Sequence, residues 1–252
     1  MPSALQAAAW GLLAGSALVL GAALGWWLNL PQRVIAGVMA FGSGVLLSAL
    51  SFELMDKAWE RGGFAATALG FVCGAAIYAL ANAWLVRRGA RYRKRSGPQP
   101  RSEQERAGSG SAIALGALLD GVPESIVIGL SLLGGKGVSV AALVAIFVSN
   151  IPEGLSSAAG MKRNARGAGY VFGLWSAIAC ASALAAWLGY VVFGGYSQEV
   201  VAATTGLAAG AILVMLADTM IPEAFEQVHQ ATGPISVAGY LVGFALSKLA
   251  GE

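Results

Sequence analysis

Six acidic side chains lie inside or at the edge of long apolar stretches of this chain of 252 residues. They are Glu53, Asp120, Glu124, Glu153, Asp218 and Glu223. A carboxylate at the centre of a membrane-spanning helix costs about 3 kcal/mol, so six that faced lipid would cost on the order of 15 to 20 kcal/mol. We therefore expect these carboxylates to contact water, protons, cations or one another.

Three of the acids directly follow a proline. The motifs are Asp120-Gly-Val-Pro-Glu124, Ser149-Asn-Ile-Pro-Glu153-Gly and Met220-Ile-Pro-Glu223. Proline cannot donate a hydrogen bond to the carbonyl four residues earlier, so each motif predicts a kinked helix with a free carbonyl beside a carboxylate. Asp120 and Glu124 are four residues apart and share one helical face, and the same spacing joins Ser149 to Glu153. The motifs predict a cation site near the middle of the fourth and fifth helices.

For several of the predicted metal-site residues, the sequence also allows a structural role. The full set is Asp120, Glu124, Ser149, Asn150, Glu153, Asp218, Glu223 and Glu53. A serine or asparagine in a spanning helix usually bonds to a neighbouring helix, so Ser149 and Asn150 also have a structural explanation. Glu53 lies near Lys57, and an interfacial ion pair explains it as well as a metal site does. For Asp218 and Glu223 both interpretations stay open.

The composition indicates a membrane protein. Hydrophobic residues make up 57% of the chain and charged residues 12%, about half the charge of a soluble domain. We expect one polytopic membrane domain, residues 1–252, in an all-α fold with eight transmembrane helices. The predicted spans are Ala4 to Leu30, Val34 to Leu54, Phe64 to Val86, Ala112 to Leu133, Val138 to Gly160, Ala168 to Phe193, Val201 to Glu223 and Ile235 to Leu249.

The segment 87–111 is rich in arginine and poor in apolar residues, which predicts a flexible basic loop on the cytoplasmic side. Eight spans then place both termini outside the cytoplasm in a cell-membrane protein. Charge alone gives no support for nucleic-acid binding. Cys73 and Cys180 lie within apolar runs and are predicted to be small buried residues, while His229 is predicted to be a solvated loop residue.

The chain resembles the ZIP family of metal-ion transporters. The resemblance depends on the eight-span layout, on the long loop after the third helix and on the motifs of the fourth and fifth helices, which in the family read His-Asn-x-Pro-Glu-Gly. Matching positions are Pro123, Glu124, Asn150, Pro152, Glu153 and Gly154. The family histidines are replaced by Asp120 and Ser149, and the fourth-helix asparagine by Gly121.

The resemblance implies a mid-membrane site for divalent metals, with zinc as the default cargo, formed by kinked fourth and fifth helices. It also implies import toward the cytoplasm by alternating access. In that motion the first, fourth, fifth and sixth helices move against the other four, commonly within a homodimer. A site built mainly from oxygen atoms suits harder cations, so manganese, iron or cadmium are further candidates.

Other functional classes use similar residues. A cation channel or a metal-sensing membrane protein requires the same acids, and the sequence does not separate them from a carrier. An intramembrane hydrolase is disfavoured because neither a Gly-x-Ser-x-Gly nor a His-Glu-x-x-His motif is present. We therefore expect no enzymatic activity and no catalytic cofactor, with the divalent metal ion acting as the transported substrate.

Overall fold

The computed structural model of the chain describes residues 3–90, 109–134 and 137–250, and within these ranges the regular structure is helical, without strands. Six continuous helical runs in the described residues are long and apolar enough to cross a membrane. Large apolar side chains project outward from them, as Leu80 and Leu249 do, each 73% exposed. The all-α expectation is confirmed, and the pattern is that of a multi-pass membrane protein.

The helices follow the apolar runs of the sequence closely. They are α1 Ser3–Trp27, α2 Gln32–Ala49, α3 Asp56–Leu85, α4 Ser109–Ser131, α5 Val140–Arg163, α6 Ala168–Phe193, α7 Gln198–Met215, α8 Ile221–Val228 and α9 Thr232–Ala250. Wider π-helical segments occur at Leu50–Met55, Val86–Ala90 and Leu216–Met220. Two of these segments hold predicted site residues, namely Glu53 and Asp218.

Local residues explain several helix boundaries. Ser139 precedes α5 in an extended conformation, and its hydroxyl accepts a hydrogen bond from the Ala142 amide at 3.5 Å, which is N-terminal capping. At the start of α8, Pro222 cannot donate to the carbonyl of Asp218. The backbone widens into the π-helical segment Leu216–Met220 directly before it.

Two of the six apolar runs are interrupted by a residue with positive φ. Gly63, with φ 72° and ψ −178°, breaks the run Gln32–Arg88, and His229, with φ 45°, breaks the run Gln198–Leu249. Glycine adopts this conformation without steric cost. His229 lies in the short connection between α8 and α9 and is exposed, as predicted.

The helices form two groups, and within each group glycines allow helix backbones to come into contact. In the first group, α1 contacts α5 and α6, and α4 contacts α6. A methyl group added at Gly21 would lie 2.1 Å from the carbonyl oxygen of Ile151 on α5. One added at Gly129 would lie 2.1 Å from the Ala186 carbonyl oxygen on α6. Larger residues at these positions would force the helices apart.

The second group contains two sets of helices, α3 with α7 and α2 with α8 and α9, which are joined through the π-helical segments Leu50–Met55 and Leu216–Met220. A methyl group at Gly74 of α3 would lie 1.9 Å from the carbonyl oxygen of Leu207 on α7. At Gly239 of α9 it would lie 2.1 Å from the carbonyl oxygen of Phe41 on α2. Among the described glycines, contacts this close to a backbone carbonyl of another helix all fall within one group or the other.

Some predictions about individual segments need correction or lie outside the described residues. Most of the predicted loop, residues 91–108, lies outside them, while its final residues already belong to α4. Cys73 and Cys180 are exposed, so the prediction that they are buried is wrong, because both lie on outward faces of their helices. Helices α4 and α5 continue as α-helix through their prolines, and the kinks in them stay a prediction.

Candidate cation site

The acids of the two proline motifs are buried in α4 and α5. Asp120 is 1% exposed, Glu124 2% and Glu153 4%. Ser149 and Asn150 on α5 are buried as well. Asp120 and Glu124 share one face of α4 because they are four residues apart, whereas α5 is buried on all sides from residue 152 to residue 161. Ionised carboxylates at such depth require hydrogen-bond donors or cations nearby.

Asp120 has a donor on another helix. The Tyr78 hydroxyl of α3 donates a hydrogen bond to Asp120 Oδ1, and Tyr78 is itself 1% exposed. The bond links the first group of helices to the second, because α4 belongs to one and α3 to the other. A phenol that donates to a carboxylate stabilises negative charge at a position that water does not reach.

The polar residues of α5 bond mainly to nearby backbone. Ser149 Oγ donates to the Ile146 carbonyl oxygen at 3.0 Å. Asn150 Nδ2 donates to the Ala14 carbonyl oxygen of α1 at 3.1 Å. These bonds support the structural explanation of both residues. They use the hydroxyl hydrogen and the amide NH2, whereas a metal ion would be held by the oxygen atoms.

The acids of the seventh apolar run contact two different helices. Asp218 is exposed and accepts a hydrogen bond from Asn82 Nδ2 of α3 at 3.3 Å. Glu223 is buried, and its Oε1 accepts a long hydrogen bond of 3.5 Å from Ser156 Oγ of α5. Both carboxylates therefore join helices that are distant in sequence, and the second of these contacts crosses between the two groups.

Glu53 is surrounded by donors at one end of the molecule. Lys57 Nζ forms an ion pair with its Oε2 at 2.5 Å, and the Ser139 hydroxyl donates to the same oxygen. Ser247 Oγ of α9 donates to Oε1 at 2.5 Å. The ion pair expected as an alternative to a metal site is present. It is only one part of a network that connects the segment Leu50–Met55 with α3, α5 and α9.

The predicted residues do not form one compact cluster in this conformation. Among the described residues, no three histidine, cysteine, aspartate or glutamate side chains lie close enough together to hold a metal ion. Asp120, Glu223 and Glu53 each contact a residue of the other group of helices. An assembled site of Asp120, Glu124 and Glu153 stays a prediction.

Sequence reasoning missed several of the residues that contact these acids. Tyr78 and Asn82 are four residues apart on α3, and they donate to Asp120 and Asp218 respectively. Such a polar pair at helical spacing inside an apolar run is a signal that the sequence contains. No comparable local signal identifies Ser247, which lies 194 residues from Glu53 along the chain.

Comparisons of this chain with protein-family models and with curated proteins found no match.

Proposed function

We propose that this chain transports divalent transition-metal cations toward the cytoplasm by alternating access. The observation that carries the proposal is the burial of Asp120, Glu124 and Glu153 in helices apolar enough to cross a membrane. Buried acids at membrane depth typically mark an ion pathway. The resemblance of their motifs to those of ZIP transporters supports a divalent metal as the cargo, with zinc as the family default.

Eight spans are supported by the lengths of the interrupted runs. Run Gln32–Arg88 has 57 residues and would measure about 85 Å as one straight helix, against a hydrocarbon core of about 30 Å. The break at Gly63 allows it to cross twice, and the break at His229 does the same for the run Gln198–Leu249. Four runs that cross the membrane once and two that cross it twice give eight spans.

The charges at the helix ends support a cell-membrane orientation with both termini outside. Lys162 and Arg163 end α5, and Arg87 and Arg88 follow α3. With eight spans these four residues lie on one side, which the excess of basic residues in cytoplasmic loops identifies as the inside. Lys162 also donates to the Trp26 carbonyl oxygen at 2.6 Å, so the α1 and α5 ends share that side.

The two groups of helices support movement of one against the other. Backbone contacts at glycines join α1 to α5 and α6, α4 to α6, α3 to α7 and α2 to α9, whereas the hydrogen bonds from Tyr78 to Asp120 and from Ser156 to Glu223 cross between the two groups. The first group is the set of helices that the ZIP resemblance implies should move. A homodimer is part of the same proposal.

The absence of three clustered metal-ligating side chains among the described residues is compatible with a carrier. Ionised carboxylates repel one another in a medium of low dielectric constant, so they approach closely only around a cation or a shared proton. The side-chain atoms available to bind a metal ion are mainly oxygen, which favours transport of manganese or iron as well as zinc. Uptake that strongly prefers zinc over manganese would contradict this broader selectivity.

The decisive experiment is uptake of zinc, cadmium, manganese and iron into proteoliposomes. We expect saturable uptake by the wild type and loss of nearly all of it in Glu124→Ala and Glu153→Ala, because each variant removes a buried carboxylate. Glu199→Gln is the matched control, since Glu199 is exposed at the start of α7 and should leave uptake unchanged. Metal binding without uptake would instead indicate a sensor, and flux at channel rates would indicate a pore.

Proton release provides a second test. Carboxylates that hold protons in the absence of metal must release them when a divalent cation binds. We therefore expect binding to release protons into weakly buffered solution and to weaken as the pH falls. An affinity that stays constant between about pH 5 and pH 8 would argue against binding by these carboxylates.

A further inference from the structure

Two cavities meet at Glu53. The wider one has a volume of about 610 Å³ and is lined by acidic and basic side chains that include Asp56, Glu60 and Arg61. The narrower one has a volume of about 20 Å³, enough for roughly one water molecule. Both are lined by Glu53, Lys57, Arg61, Ser131 and Ser139. The five shared residues therefore separate the wide cavity from one that has room for about a single water molecule in this conformation.

The residues at this constriction connect the two groups of helices. Glu53 lies on the π-helical segment after α2 and accepts hydrogen bonds from Ser247 of the second group and from Ser139, which caps α5 of the first. Lys57 Nζ donates to both Glu53 and Ser139, the latter at 3.1 Å. One ammonium group thus holds together a carboxylate and a hydroxyl from opposite groups.

The narrow cavity borders α4 about one helical turn from Glu124 of the predicted metal site. Val127 of α4 and Thr205 of α7 line it, one from each group of helices. Val127 follows Glu124 by three residues, so the two side chains lie on the same face of α4 about one helical turn apart. A cation that passed the constriction would need to travel roughly one turn to reach the level of Glu124.

We propose that Glu53, Lys57 and Ser139 form a gate on the cation path, in which the Lys57 ammonium is a tethered counter-cation that incoming metal must displace from Glu53. This inference deepens the proposed function, because it assigns a place of access and a selectivity element to the same transporter. With Lys57 bound, the carboxylate is neutralised and the two groups are linked. With a divalent cation bound instead, Lys57 and Ser139 are released and the groups can separate.

The gate gives divalent cations an advantage over monovalent ones. The tethered ammonium is always present at high local concentration, so a competing ion must bind the carboxylate more strongly than a single positive charge does. A divalent cation satisfies this condition by its charge, whereas sodium or potassium does not. The positive charge on Lys57 also repels approaching cations until one of them has bound the Glu53 carboxylate.

The gate is tested by the accessibility of a cysteine placed behind it. Thr205→Cys, in a background that carries Cys73→Ala and Cys180→Ala, puts a thiol of similar size in the narrow cavity. Purified protein in detergent is treated with a cationic methanethiosulfonate reagent, without metal. We expect Glu53→Gln and Lys57→Met, which preserve side-chain size, each to accelerate labelling by about tenfold, as expected for loss of a charge-assisted bond.

Glu60→Gln is the matched control, because Glu60 lines the wide cavity but not the narrow one. It removes the same charge and should change labelling by less than about twofold. If either gate variant is not recovered as folded protein, Ser139→Ala provides the same test from the α5 side. Labelling rates that are equal in the Thr205→Cys parent protein and in the gate variants overturn the gate, whether or not the protein transports metal.

Competition by Lys57 is tested separately by manganese uptake. Removal of the tethered ammonium in Lys57→Met should lower the KM for Mn²⁺ severalfold, while Lys57→Arg, which keeps the charge, should leave it close to the wild-type value. An unchanged KM in Lys57→Met overturns the role of Lys57 as a competitor. If the wild type shows no uptake, the proposed function fails while the labelling result still decides whether the gate exists.

Discussion

The closest backbone contacts lie inside the groups of helices, whereas the contact between the groups combines apolar packing with hydrogen bonds of polar side chains. Inside the groups, glycines bring backbones together, as Gly74 does against Leu207 and Gly21 against Ile151. Between the groups, α2 packs against α5 through apolar side chains, as in the cluster of Ile35 with Leu155 and Ala159. The hydrogen bonds of polar side chains that cross the same contact form what we call the polar seam. It consists of the contacts Tyr78 to Asp120, Ser156 to Glu223, and Glu53 with Ser139.

This difference separates parts that must stay together from parts that are able to exchange partners. A backbone contact at a glycine has no alternative partner, and separation of the helices leaves a void. A carboxylate of the polar seam keeps a favourable environment if water, a proton or a cation replaces its donor. Hydrogen bonds that can be exchanged in this way at the boundary are one mechanical requirement of a carrier that moves one unit against another.

The largest effect is expected for a glycine inside a group. In Gly74→Ala the added methyl group would lie 1.9 Å from the Leu207 carbonyl oxygen, so α3 and α7 must separate. We expect a loss of about 1 to 3 kcal/mol or more in stability, measured as a lower midpoint of thermal unfolding in detergent.

Gly173→Ala is the control for this measurement, because no atom lies within 4 Å of a methyl group at that position on α6. It should be neutral or slightly stabilising, since alanine favours helix over glycine. Equal unfolding midpoints for the two variants would show that a glycine inside a group is no more important for stability than a glycine on the surface.

An intermediate effect on stability, with a specific effect on transport, is expected at the polar seam. Tyr78→Phe removes the hydroxyl that donates to Asp120 while it keeps the ring. We expect a loss of about 1 kcal/mol in stability. The KM for Mn²⁺ should fall severalfold, because the cation no longer competes with the hydroxyl for Asp120.

Tyr240→Phe removes a hydroxyl from α9 without touching this contact and serves as the control. If Tyr78→Phe lowers stability but leaves the KM equal to that of Tyr240→Phe, the bond from Tyr78 to Asp120 is structural and plays no part in cation binding.

The smallest effect is expected for Ser156→Ala. The bond from Ser156 Oγ to Glu223 is 3.5 Å long and therefore weak. We expect a loss of about 0.5 kcal/mol or less in the same unfolding measurement. Ser125→Ala, which removes a 2.8 Å bond to the Gly121 carbonyl of its own helix, provides the comparison within one group. A loss for Ser156→Ala as large as that for Gly74→Ala would show that the seam is not the weaker contact.

Much of the fold was accessible from the sequence. The run Ala168 to Phe193 coincides with α6, and most other runs agree with their helices within a few residues at each end. Apolar length is a local property, so it can be read without knowledge of neighbouring helices. The burial of Asp120, Glu124 and Glu153 followed for the same reason. The exposure of Cys73 and Cys180 did not, because an apolar helix in lipid gives no hydrophobic contrast between its inner and outer faces.

The sequence by itself determined that acids lie within long apolar runs, and which of them share a helical face. Only the tertiary structure decided what each acid contacts. Tyr78 reaches Asp120 from 42 residues away, and Ser139 reaches Glu53 from 86. The physical reason is that helical periodicity repeats every few residues along one chain segment. The partner of a side chain depends instead on how separate helices pack, and here glycines fix that packing by allowing backbones to touch.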